Sequence, residues 1–171
     1  MAYKLYPAKH ADWIREQEWA IGSKLTFAKL DSCIAVIGKV GKRLIGIHLV
    51  QQGAERPGNG QEIGLEVFNQ NVAEHAFEVL SAYGKLDASL IIGSPDEWRN
   101  ADNSEYRIMP EAEGRALQAG YLKLMLLLPN LQPSRELKPG AYSVALAADG
   151  AFQVTSDHCA SATFEAESLR W

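Results

Sequence analysis

The chain is poor in the residues that most often announce a function. Its 171 residues include two cysteines and four histidines. Cys33 and Cys159 cannot build a disulfide framework, and neither belongs to a Cys-x-x-Cys pair of the kind that grips zinc. Long apolar runs are missing as well. The greasiest stretch, residues 121–129, falls far short of the roughly 20 residues that a bilayer span requires. Residues 1–13 lack the apolar centre of a secretory signal. Basic charge is not in excess: 17 Lys and Arg against 21 Asp and Glu leave a net charge of −4. That balance supplies no electrostatic footprint for nucleic acid or an anionic membrane. The expectation is a protein of the reducing cytoplasm, or one exported without a cleaved signal peptide.

What the chain does have is apolar residues, 47% of the total, enough for a sizeable core in one domain over 1–171. Ala11, Ile14 and Ile21 suggest a helix over 8–21, interrupted by Gln17 and Glu18. Leu25–Leu30, Cys33–Val40 and Arg43–Val50 read as strands. Residues 51–62 read as a loop from their glycines, proline and asparagine. Glu66–Tyr83 is the clearest helix, with Val67, Val72, Ala76, Phe77, Leu80 and Tyr83 on one face and Gly84 as its stop. Ala88–Ile92 reads as a buried strand, 93–105 as a loop and Glu111–Ala119 as a helix. Residues 121–128 fit either a helix continuation or a buried strand. Tyr142–Ala147 and Phe152–Thr155 flank Asp149-Gly150, a hairpin turn signal, and Ala162–Ala166 suggests a last strand. Strands at both ends with helices between them predict an α+β fold, a mostly antiparallel sheet or sandwich covered by helices.

One hairpin carries chemistry. Centring its turn between Val40 and Gly41 pairs residues whose numbers sum to 81, which sets Cys33 directly opposite His48. Opposed residues on antiparallel strands share a face, with Cβ atoms about 4.5–5.5 Å apart. A four-residue loop, Lys39–Lys42, gives this register without strain at Val40, whereas a slip of one residue turns His48 to the other face. A histidine beside a cysteine takes the thiol proton, depresses the thiol's pKa and later protonates the leaving group, which suits acyl transfer through a thioester. The backbone N–H groups of Ser32 and Cys33 are candidates for an oxyanion hole. Thr26, a backbone carbonyl on the strand before the hairpin, or Gln51 would orient His48. The plainer reading is that Cys33 and His48 are core filler, since free cysteine is among the most buried residues.

Other residues carry less. Adjacent in a strand, His158 and Cys159 would point to opposite faces and form no dyad. His75 reads as a solvated helical histidine. Asp96, Glu97 and Asp102 match no calcium loop, and the glycines of 58–64 follow no phosphate-binding pattern, so neither a metal nor a cofactor is expected. Trp98 either packs down or meets a partner.

Leu30-Asp31-Ser32-Cys33-Ile34-Ala35-Val36 resembles the Leu-Gly-Ser-Cys-Val-Ala-Val stretch of the chemotaxis receptor glutamine deamidases (CheD), whose catalytic cysteine stands at the position of Cys33. Ile45-Gly46-Ile47-His48-Leu49 is similar to the strand that carries their catalytic histidine, and Leu90–Ser94 to a later apolar strand ending in small residues. The order of elements matches over roughly 24–94. The same core resembles the deamidase domain of the cytotoxic necrotizing factors, toxins that act on host proteins. The resemblance implies α/β/β layers, a Cys33–His48 dyad and a protein glutamine side chain as substrate; the charge balance adds neither nucleic acid nor membrane as partner. It places the family's catalytic threonine near Thr26, while in the toxins a backbone carbonyl takes that role. The glycine before the serine is Asp31 here. Two functions are therefore expected: a protein-glutamine deamidase, or a non-catalytic binding domain of the same fold.

Overall fold

A computed structural model of the protein describes residues 1–156 and 168–170. Its strands are β1 (Tyr6–Pro7), β2 (Glu18–Gly22), β3 (Lys24–Leu30), β4 (Ile34–Val40), β5 (Arg43–Leu49), β6 (Gln52–Glu55), β7 (Ile63–Val67), β8 (Ala88–Gly93), β9 (Arg135–Glu136), β10 (Gly140–Leu146), β11 (Phe152–Ser156) and β12 (Ser168–Arg170). The helices are α1 (Gln70–Ser81), α2 (Pro95–Arg99) and α3 (Glu111–Leu127). The fold is α+β, as the sequence predicts. The expected strand at Ala162–Ala166 and the pair His158-Cys159 lie outside the described residues.

Six strands form one sheet in the order β1-β2-β5-β4-β8-β9, and four form a second in the order β12-β11-β10-β3. The central strands β4, β5 and β8 are buried on both faces, which explains why they read as continuous apolar runs rather than as alternation. Gly46 shows which face meets the second sheet: a Cβ there would lie 2.6 Å from Phe27 Cζ and 2.8 Å from Leu25 Cδ1. Leu25 and Phe27 of β3 therefore pack where Gly46 leaves room. On the far side α1 buries Val72, Ala73, Ala76 and Leu80. α3 packs against α1, coming close where Gly120 has no side chain; a Cβ there would meet the Asn69 backbone at 2.7 Å. Helices, six-stranded sheet and four-stranded sheet make three layers. Burial of each core Ile or Leu supplies about 1.5–3 kcal/mol.

Several boundaries differ from the sequence reading, each for a physical reason. No helix forms over 8–21: β1 pairs with β2 in parallel, β2 pairs with β5, and Ile14 bridges Phe27. The apolar residues there serve a sheet and a loop that crosses it. The loop expected at 51–62 contains β6, which pairs with β7. That pairing claims Glu66 and Val67, so α1 starts only at Gln70, where the extended Asn69 accepts the N–H groups of Asn71 and Val72. The loop at 93–105 contains α2, and 121–127 continue α3.

The hairpin register also differs. Val40 pairs with Arg43, leaving a two-residue turn of Gly41 and Lys42 rather than the expected four. Gly41 has φ +60, the left-handed conformation that glycine adopts freely at the first position of a II′ turn. The pair sum is 83, not 81, so His48 stands opposite Ala35.

Candidate active site

The two-residue slip separates Cys33 from His48 along the strand without changing its face. The Cys33 carbonyl accepts the Ser94 N–H at 3.0 Å, continuing the β4–β8 ladder one pair beyond Ile34–Gly93. Cys33 therefore keeps the pleat, and residues 33 and 35 share a face. Continuing the β4–β5 register sets Cys33 opposite Val50 and diagonal to His48. Diagonal neighbours lie about 7–8 Å apart at Cα, within reach of a long side chain. The expected direct opposition of cysteine and histidine is thus corrected to a diagonal one.

His48 is fully buried, and its Nδ1 lies 3.2 Å from the carbonyl oxygen of Ile14. A carbonyl only accepts, so the bond sets the tautomer: Nδ1 carries the proton and Nε2 keeps a free lone pair. Nε2 is buried and has no hydrogen-bond partner among the described residues. Burial pushes the imidazole pKa down to about 4, against the smaller opposing pulls of the Ile14 carbonyl and Glu18. The ring also contributes to the wall of a cleft of about 400 Å³ bordered by Trp13, Glu16, Ala28, Lys29 and Arg56.

The Ile14 carbonyl also accepts the Ala28 N–H of β3 at 2.9 Å, and a tight turn follows it. Glu18 is buried and accepts the Arg15 N–H at 2.9 Å and the Arg15 guanidinium at 2.9 and 3.2 Å. Gln17, at φ +61, donates its N–H to the His48 carbonyl. This turn lies inside the segment that reads as a helix, which is why Ile14 is missed as the group beside His48.

Thr26 points elsewhere. Leu25 and Phe27 face Gly46, so alternation turns Thr26 to the opposite face of β3, where its hydroxyl pairs with Ser143 Oγ at 2.8 Å. Gln51 reaches the cysteine loop instead, its Nε2 lying 3.3 Å from the Ser32 carbonyl and 3.2 Å from Glu97 Oε2. Of the three candidates to orient His48, a carbonyl is the one in contact, and it comes from Ile14 rather than from the strand before the hairpin.

Cys33 is buried, and its Sγ donates to the Asp31 carbonyl at 3.2 Å. No hydrogen bond joins it to His48 among the described residues. The expected depression of its pKa is not found: burial foremost, then the carboxylate of Glu16, pushes the thiol up to about 11. Asp31 and Glu97 add to the rise, and the hydrogen bond to Asp31 opposes it. The resting pair is a neutral thiol and a neutral imidazole. The residue before the cysteine, Ser32, has φ +58, a left-handed conformation uncommon outside glycine. Neither Ser32 nor Cys33 donates its N–H to another described residue, which leaves both groups of the expected oxyanion hole free.

The remaining candidates settle simply. Trp98 is fully buried, packs against Phe68 and donates its indole N–H to the Ser32 carbonyl at 3.0 Å. His75 is partly exposed and lies 3.7 Å from Glu78. No helix among the described residues is long and apolar enough to cross a membrane.

Neither a family model nor a curated protein matches the sequence. Among solved structures the chain is similar to the C-terminal domain of CNFy from Yersinia pseudotuberculosis, at 12% identity and a TM-score of 0.33. The match covers 86% of this chain and 54% of the other, so this chain spans about half the length of that domain.

Proposed function

We propose that the protein is a cysteine-dependent amidohydrolase that deamidates glutamine side chains of proteins. The observation that carries the reading is His48: a buried ring whose Nδ1 is committed to the Ile14 carbonyl and whose Nε2 keeps its lone pair unpartnered on the face that Cys33 shares. An unpaired buried polar atom costs about 1–3 kcal/mol, and a role in chemistry is one reason for a fold to keep one. A general base is such a use.

The reaction starts from the neutral pair. Cys33 releases the Asp31 carbonyl, its proton passes to His48 Nε2, and Sγ attacks the amide carbon. The oxyanion that forms faces the N–H groups at Ser32-Cys33. As it collapses the carbon–nitrogen bond breaks, His48 returns the proton to the departing nitrogen, and ammonia leaves a thioester behind. Water then attacks; its proton passes through His48 to the sulfur, and a glutamate side chain and the thiol remain. No cofactor is needed. The preference for a protein substrate, and a role as toxin or effector, rest on the resemblance of residues 30–36 and 45–49 to the glutamine deamidases.

Cys33→Ser is nearly isosteric and should abolish ammonia release from candidate proteins, with the small mass gain of glutamine becoming glutamate as a second readout. Wild-type turnover persisting in Cys33→Ser would place the chemistry elsewhere. The competing reading is a non-catalytic binding domain, and its own supporting observation is that the thiol rests on Asp31 rather than on His48. It requires that the wild type, like the variant, turn over no substrate.

A further inference from the structure

We propose that Trp98 and Gln51 are positioning residues that pin the Ser32 carbonyl and thereby aim the Cys33 N–H as the oxyanion donor. The proposal rests on the reading of Cys33 as the nucleophile. Two donors from separate elements converge on one oxygen: the Trp98 indole from α2 at 3.0 Å and the Gln51 amide from the end of the hairpin at 3.3 Å. A trans peptide is planar, with its C=O and the following N–H pointing in opposite directions. Fixing the Ser32 oxygen therefore fixes the direction of the Cys33 N–H, which donates to no other described residue.

Both donors are themselves held. Trp98 is buried, with ring contacts to Phe68 at 5.1 Å and Tyr121 at 6.3 Å. Gln51 is braced by Glu97, which accepts from its amide at 3.2 Å. Next to Gln51, the Val50 backbone is tied at both groups by the buried Tyr3 hydroxyl: its carbonyl accepts at 2.7 Å and its N–H donates at 2.9 Å. The pinned residue is itself strained. Ser32 at φ +58 sits where a residue with a Cβ costs about 1–2 kcal/mol more than elsewhere, so it stays only if its surroundings hold it. A flip of the Ser32–Cys33 peptide, which rotates ψ of Ser32 and φ of Cys33, would turn the N–H away from the substrate. The two donors oppose that flip.

The test compares two reactions of the same sulfur. p-Nitrophenyl acetate acylates Cys33 through a tetrahedral oxyanion: the S–C bond forms, the C–O bond breaks, and p-nitrophenolate leaves. Iodoacetamide alkylates Cys33 by displacing iodide at a saturated carbon, with no oxyanion. Both rates scale with thiolate fraction and access, so their ratio isolates the oxyanion donor. Trp98→Phe keeps an aromatic ring in the core, and Gln51→Met keeps the shape of the other arm; each removes one donor. Losing a whole oxyanion donor costs about 10²–10³ in rate, so loosening one of its two supports should lower the acylation-to-alkylation ratio about tenfold or more. The double variant should lower it further. Thermal unfolding checks that each variant is folded, and two separate sites guard against one that is not.

A ratio equal to wild type in both variants overturns the proposal. So does an equal fall in both rates, which would make the two residues supports of the fold alone. A wild type that shows this ratio effect yet turns over no glutamine removes the deamidase reading and leaves the positioning role standing. A wild type whose Cys33 reacts with neither reagent overturns both.

Discussion

Lowering the pH from neutrality toward 4 measures the burial of His48 directly. In the unfolded chain the imidazole titrates near 6.5; in the folded protein burial holds it down at about 4. Above 6.5 both states are neutral and the full stability is present. Between 6.5 and 4 the unfolded chain binds a proton that the folded one refuses, so stability falls as the pH falls. Below 4 both states are protonated and the loss is complete. At about 1.4 kcal/mol per pH unit the gap is worth about 3 kcal/mol, a large part of the 5–15 kcal/mol that holds a typical domain together. Glu18, which opposes the depression, and Arg56, which adds to it, are the charged neighbours of the ring. His48→Asn removes the titration while offering an amide N–H near the position of Nδ1. The assay is urea unfolding of both proteins at a series of pH values. The stability difference between them should shrink by about 3 kcal/mol across this range, whatever its value at neutrality. A difference that stays constant with pH would refute the buried neutral imidazole, and with it the tautomer argument for Nε2 as base.

The remaining predictions concern the neighbours of that ring. Thr26→Val loses the hydroxyl pair with Ser143 and should cost about 1 kcal/mol in urea unfolding, while turnover stays close to wild type because Ile14 holds Nδ1; a large loss of turnover would return Thr26 to the dyad. Gly93→Ala puts a side chain at φ +112 against the Cys33 carbonyl. It should destabilise by about 2 kcal/mol or more and slow every reaction of the cysteine; an undisturbed unfolding midpoint would contradict the close approach of β8 to Cys33. Alkylation of Cys33 by iodoacetamide should keep rising with pH toward about 11. A plateau already reached near neutrality would mean that a thiolate–imidazolium pair exists at rest.

Features decided by neighbours in sequence were legible in the sequence. The β4–β5 and β10–β11 hairpins announced themselves as paired apolar runs around a turn within Lys39–Lys42 and around Asp149-Gly150. The core of α1 showed in the spacing of Val72, Ala76 and Leu80. The face of His48, the one it shares with Ala35, also survived, because the register error was two residues and the side chains of a strand alternate with a period of two. Features decided by partners distant in sequence were not legible. The helix-like spacing of Ala11, Ile14 and Ile21 hides that Ile14 bridges β3 and lends His48 its carbonyl. β6 forms in a glycine- and proline-rich stretch only because β7 is there to pair with it. Thr26 sits in a correctly read strand, and its direction follows from which face of β3 packs on Gly46. Trp98 reads as a loop residue until the core closes over it and its indole meets the Ser32 carbonyl. The same burial reversed the expected acidity of Cys33. A histidine opposed across the hairpin suggests a thiolate, but desolvation and the nearby carboxylates of Glu16 and Glu97 exist only once the chain is folded.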